Sequence, residues 1–216
     1  MPKKLIIFDL DGTLVDSVAD LGEACNFALN RMGFPVHTTA AYRLMVGNGV
    51  RRLIERAVPE DGRTHEVLEE LRRHFMEYYE HHLWDMTVPY GGIPELLDEL
   101  DHRNIKLAVA SNKYQEATER IVRHFFPNLN WVAIMGQREF VPLKPDPSIV
   151  FDILLESPTP KDEVLYVGDS GIDMETAYRA CVDSVGVTWG FRPINEMTDH
   201  ATYIVSQPED ILKYID

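Results

Sequence analysis

Asp9 and Asp11 stand at i and i+2 in the stretch Phe8-Asp9-Leu10-Asp11-Gly12-Thr13-Leu14-Val15-Asp16-Ser17. If the preceding apolar run is a strand, both carboxylates face one crevice where the run gives out into a glycine turn. Carboxylates so placed have acid–base, nucleophilic and cation-binding chemistry open to them. Three further segments carry groups of the same kind: Ser111-Asn112-Lys113, Lys144-Pro145-Asp146-Pro147 and Gly168-Asp169-Ser170-Gly171-Ile172-Asp173. Singly each has an ordinary explanation, as a glycine turn, a helix start, a surface lysine or a helix cap. Four of them in this order, each beside the end of an apolar run, point to one shared site.

The elements that must position these groups are short runs rich in Val, Ile and Leu: residues 5–8, 105–109, 131–135, 164–167, 185–187 and 203–205. Such runs are the signature of buried parallel strands. Helical spacing or start signals fill the intervals at 93–102, 114–126, 147–155 and 172–180, with Asp146-Pro147 reading as an N-cap and first-turn pair. The alternation predicts an α/β fold, a doubly wound, Rossmann-like parallel sheet. With strands in the order 3-2-1-4-5, Asp9, Asp11, Asp169 and Asp173 meet at the switch point, with Ser111 at their flank.

One long gap interrupts this pattern. Residues 17–87 contain no convincing strand and read as helices, including 50–57 and 64–83. The expected organisation is a core of residues 1–16 and 88–216 with a helical cap of 17–87 inserted in it. The entry, Asp16-Ser17 with Asp20 following, reads as a loose capping box, and the exit is the turn Val88-Pro89-Tyr90-Gly91-Gly92.

Composition bounds the partners. The 216 residues carry 21 Lys and Arg against 35 Asp and Glu, a net charge of −14, which disfavours nucleic acid and an anionic membrane surface. No apolar run approaches a membrane span, and the expected location is cytoplasmic. Cys25 and Cys181 show no metal or redox spacing and read as reduced, partly buried thiols. His74, His81 and His82 lack a HExxH pattern and read as a solvated helix face.

The four segments resemble, in order, the four motifs of the haloacid dehalogenase superfamily of phosphatases and phosphotransferases, over nearly the whole chain. The insert resembles the α-helical cap of one subclass, and the overall likeness is to its phosphoglycolate phosphatase-like members. The resemblance implies a phosphatase acting on a small phosphorylated metabolite, as a monomer or homodimer. It implies Asp9 as nucleophile, forming an aspartyl-phosphate, and Asp11 as general acid and then base, its pKa raised by the neighbouring Asp9 and Asp169. It also implies Mg2+ on the carboxylates of Asp9 and Asp169 and the main-chain carbonyl of Asp11, with Asp173 at the metal or just behind it. Lys144 and Ser111 are expected to hold the phosphoryl oxygens, aided by backbone groups around Gly12, Thr13 and Asn112.

Substrate choice is expected in the cap, where Val46-Gly47-Asn48-Gly49-Val50-Arg51-Arg52 resembles the family's Gly-x-Gly loop. Gly47, Asn48 and Arg51 are its candidate contacts. The sequence leaves other substrates open within the family: pyrophosphate, sugar phosphates and nucleotides. It also leaves open a β-phosphoglucomutase-like transfer and, outside the family, a receiver-like phosphoacceptor without turnover. The cap and the position of Asp11 argue against the last.

Overall fold

The computed structural model describes residues 1–216. Strand β1 (Leu5–Phe8) is buried at every position, as a central parallel strand covered on both faces must be. It pairs in parallel with β4 (Lys106–Tyr114) on one side and β6 (Val164–Gly168) on the other. With β5 (Trp131–Gln137), β7 (Asp183–Val187) and β8 (Tyr203–Val205) the sheet runs β5-β4-β1-β6-β7-β8. This is the expected order extended by one strand. The direction of winding reverses at β1, so the carboxyl ends of β1, β4 and β6 open a crevice.

Helices α5 (Ile93–His102), α6 (Gln115–Phe125), α7 (Ser148–Glu156) and α8 (Gly171–Ala180) cover the sheet. Alternation along β1 divides the core: Ile6 and Phe8 join a cluster of 39 buried residues, Leu5 and Ile7 one of 14. The larger cluster continues into the insert through Leu21, Leu53 and Phe75. The insert is therefore an α-helical cap seated on the core by shared apolar packing.

The cap comprises α1 (Val18–Arg31), α2 (Thr39–Tyr42), α3 (Gly49–Ala57) and α4 (His65–Tyr79). It hangs from a two-stranded antiparallel ribbon of β2 (Val15–Asp16) and β3 (Val88–Pro89), with Asp16 opposite Val88. No helix is long and apolar enough to cross a membrane.

Several local expectations are corrected. The capping box at Ser17 does not form: Ser17 makes no side-chain cap bond and its hydroxyl donates instead to Asp11 Oδ1 at 2.5 Å. Asp20 is buried and accepts from the Thr87 N–H at 2.8 Å and the Thr87 hydroxyl at 2.6 Å, tying the cap's entry to its exit. Helix α7 starts one residue later than expected, with Asp146 accepting from the Ser148 N–H at 2.9 Å. The helix expected to reach residue 83 ends at Tyr79. His74 is buried beside Glu70 and Glu77 rather than solvated, and Cys181 is exposed while Cys25 is buried.

Candidate active site

Asp9 is the first residue beyond β1, and its N–H continues the ladder to Val167 O at 2.9 Å. That bond fixes the side chain at the mouth of the crevice. Its Oδ1 lies 2.9 Å from Lys144 Nζ. The same ammonium reaches Asp173 Oδ1 at 2.7 Å, Ala110 O at 2.9 Å and the Tyr166 hydroxyl at 3.2 Å. Lys144 is buried, which alone would disfavour its charge, but Asp173 and Asp9 outweigh burial and hold its pKa well above the ordinary value. A charged lysine whose three N–H donors are held by these four oxygens presents a fixed positive charge to an anion.

Asp169 follows β6 and is buried, with Oδ2 accepting from the Phe191 N–H at 2.7 Å. Burial, then Asp173 and Asp9, push its pKa well up. The same causes, burial first and then Asp173, raise Asp9 to about 7 from an ordinary 3.8. Space around Asp169 is set by two glycines: a Cβ on Gly12 (φ +92°) or on Gly190 would collide with its carboxylate.

These carboxylates fit a hard divalent cation. Asp9, Asp169 and Asp173 each place one oxygen within 4.8 Å of the others. When ionised, the three buried carboxylates carry −3 against the single charge of Lys144, and a dication would restore neutrality. The two oxygens of Asp173 have partners already. Oδ1 takes Lys144 and Tyr166, while Oδ2 takes the Ser170 hydroxyl at 2.6 Å and the Ser170 N–H at 3.2 Å in a complete capping box at the start of α8. This geometry makes Asp173 a partner that holds the Lys144 ammonium in place.

Asp11 has company other than that expected. Instead of like charges at contact distance, it meets Lys113 Nζ at 2.9 and 3.0 Å, in addition to the Ser17 hydroxyl. Sequence reasoning placed Ser111-Asn112-Lys113 after a strand and passed over the lysine. In fact β4 runs on to Tyr114, with an irregularity in its pairing to β5 between Ala110 and Tyr114, and Ser111, Asn112, Lys113 and Tyr114 all reach one cavity. That longer strand is the signal that finds Lys113.

Asn112 braces the surroundings: its Oδ1 accepts from the Lys144 N–H at 2.9 Å, and its amide donates to Gly47 O of the cap at 3.3 Å. Arg192 adds a second clasp, donating to Val46 O at 2.7 Å. The Gly12 N–H is bonded to Val15 O at 2.9 Å and the Thr13 N–H to Leu10 O at 3.3 Å, so neither points free for an anion. Thr13 Oγ1 is buried without a partner.

Asp9, Asp11, Gly47, Ser111 and Asn112 line one cavity of about 40 Å³ between cap and core. Asn48 and Arg51 lie outside it, on a separate groove with Arg52 and Gln137. Tyr79, at the end of α4, lines the cavity and belongs to no motif. Nothing in its sequence surroundings marks it.

Comparison with known proteins agrees with this architecture. Residues 6–187 match the family model described as haloacid dehalogenase-like hydrolase. A phosphoglycolate phosphatase of Aquifex aeolicus is 32% identical over 216 residues, covering 99% of this chain and 97% of that protein. The crystal structure of a protein from Lactobacillus delbrueckii subsp. bulgaricus superposes with a TM-score of 0.92 at 31% identity, covering 100% of this chain and 99% of that one. A predicted phosphoglycolate phosphatase from Haemophilus somnus gives a TM-score of 0.89 at 28% identity, covering 99% and 98% of the two chains. Sheet order, inserted cap and match over most of its length together make this chain a member of the haloacid dehalogenase-like hydrolases, of the phosphoglycolate phosphatase-like kind.

Proposed function

We propose that this protein is a magnesium-dependent phosphatase that hydrolyses a small phosphomonoester of the phosphoglycolate type through an aspartyl-phosphate on Asp9. The observation that carries this reading is the convergence of Asp9, Lys144 and Asp169 in one buried cluster at the switch point, with Asp11 and Ser111 on the wall of the same cavity. The names of the relatives give the substrate type.

Asp9 attacks phosphorus, and the P–O bond to the leaving group breaks as Asp11 protonates the departing oxygen. Asp11 then takes a proton from water, which attacks phosphorus and frees Asp9 and inorganic phosphate. Lys144 and the Ser111 hydroxyl hold the nonreacting oxygens while Asp173 and Tyr166 keep the ammonium in place. Mg2+ would sit on the Asp9 and Asp169 carboxylates and the Asp11 carbonyl, neutralising the phosphoryl charge. The cap, which we bound at residues 17–87 against a core of 1–16 and 88–216, excludes bulk water when its clasps at Gly47 and Val46 are closed.

A phosphate-release screen across a panel of phosphometabolites tests this. Release from phosphoglycolate is expected to exceed that from nucleotides and to fall on the order of a hundredfold or more with chelator. Release indifferent to chelator contradicts the metal role. Transfer to a sugar hydroxyl without free phosphate contradicts hydrolysis.

A further inference from the structure

Resting on the phosphatase reading above, we propose that Lys113, with the hydroxyls of Tyr79 and Tyr114, forms a subsite for a carboxylate carried by the substrate. Lys113 is the single cation lining the cavity, and it is buried. Its ammonium has three N–H donors, and the oxygens it meets both belong to Asp11, at 2.9 and 3.0 Å. Its other close neighbour is the ring of Tyr79, 4.9 Å away at the centroid. One donor is therefore left for a ligand.

The second observation is independent of the lysine. The hydroxyls of Tyr79 and Tyr114 are shut off from solvent and have no hydrogen-bond partner, although both residues line the cavity. Burying a hydroxyl without a partner is costly, so native proteins rarely leave two on residues that line one cavity. The two rings meet edge to face at 6.5 Å, which keeps both at the same end of the cavity as Lys113.

The rest of the wall explains why the extra group is small. Leu21, Val46, Val50 and Leu53 of the cap close the cavity with apolar surface that offers an anion nothing. A carboxylate brought in beside the phosphoester would meet Lys113 as the one lining cation, near the unpartnered hydroxyls of Tyr79 and Tyr114 and against the anionic side chains of Asp9 and Asp11. It would share Lys113 with Asp11, exchanging part of that ion pair for its own. Lys113 thereby acts as a specificity residue, distinct from Lys144, which serves the phosphoryl group.

The test compares phosphoglycolate with ethyl phosphate, which lacks the carboxylate, by the ratio of their kcat/KM values. The wild type is expected to favour phosphoglycolate strongly. In Lys113→Met the ratio is expected to fall at least about 30-fold, and in Tyr79→Phe, a milder change that leaves the ring packing, about threefold to tenfold. Because any loss through Asp11 or through the fold is common to both esters, it cancels in the ratio. A wild type without preference, or variants that lose both esters in proportion, overturns the subsite. A wild type that releases phosphate from no ester overturns the phosphatase reading and the subsite with it, an outcome visible before any variant is made.

Discussion

Asp9→Asn is expected to lower kcat by about four orders of magnitude or more while leaving the protein folded. The amide keeps the shape of the carboxylate but cannot attack phosphorus. The fold tolerates it because Lys144 keeps Asp173, Ala110 O and Tyr166 as partners. Burial, and then Asp173, already raise the Asp9 pKa to about 7, so the site disfavours the very charge that the amide removes. Circular dichroism and a thermal melt in chelator check the fold, and at pH 8 the variant is expected to melt no lower than the wild type. Turnover within a hundredfold of the wild type would remove Asp9 from the nucleophile's role.

Lys144→Met is expected to be damaging in a different way, to stability as well as to rate. It removes the one cation shared by Asp9 and Asp173 and leaves both carboxylates buried without an opposite charge. Breaking a buried pair from one side costs about 3–5 kcal/mol, and loss of a preorganised anion contact lowers kcat by about 10²–10³. The stability loss depends on pH. A carboxylate whose folded pKa lies above its unfolded value of 3.8 makes the folded state bind more protons, so stability falls as pH rises through that window. Removing the lysine takes away a charge that lowers the Asp9 pKa, so its folded value rises further. In chelator, the variant's deficit is therefore expected to be small at pH 5.5 and largest at pH 8. Denaturant unfolding at the two pH values measures it, and a deficit that does not change with pH contradicts the assignment.

The sheet and the four acidic or basic segments were legible in the sequence because each rests on local chemistry. Leu5–Phe8 is a solid apolar run, and Asp9 and Asp11 follow it at a spacing that only a strand end turns into a shared face. What escaped depends on contacts far apart in the chain. Asp20 looked like part of a capping box because its true partner, Thr87, lies 67 residues away. Ser17 was read the same way, and its hydroxyl serves Asp11. Tyr79 sits in an ordinary amphipathic helix and becomes a site residue when the cap docks onto the core. Arg51, a basic residue beside a glycine loop, lines a groove next to the cavity, a placement that its local sequence does not decide. Asp173 was expected at the metal or just behind it, and what the sequence did not reveal is its set of four hydrogen bonds to Lys144, Tyr166 and Ser170, which hold the lysine in place.

The global charge of −14 argued against polyanionic partners and said nothing about a small ester. Within the site the balance is local, three buried carboxylates against Lys144, with Asp11 and Lys113 paired beside them. The covalent step on Asp9 is the claim on which the rest depends. Its direct measurement is a rapid acid quench during turnover of a radiolabelled phosphoester, followed by borohydride reduction and peptide mapping. The predicted result is label on the peptide containing residue 9 and conversion of Asp9 to homoserine. Phosphate release at the full rate with no label and no reduction at residue 9 would contradict the account.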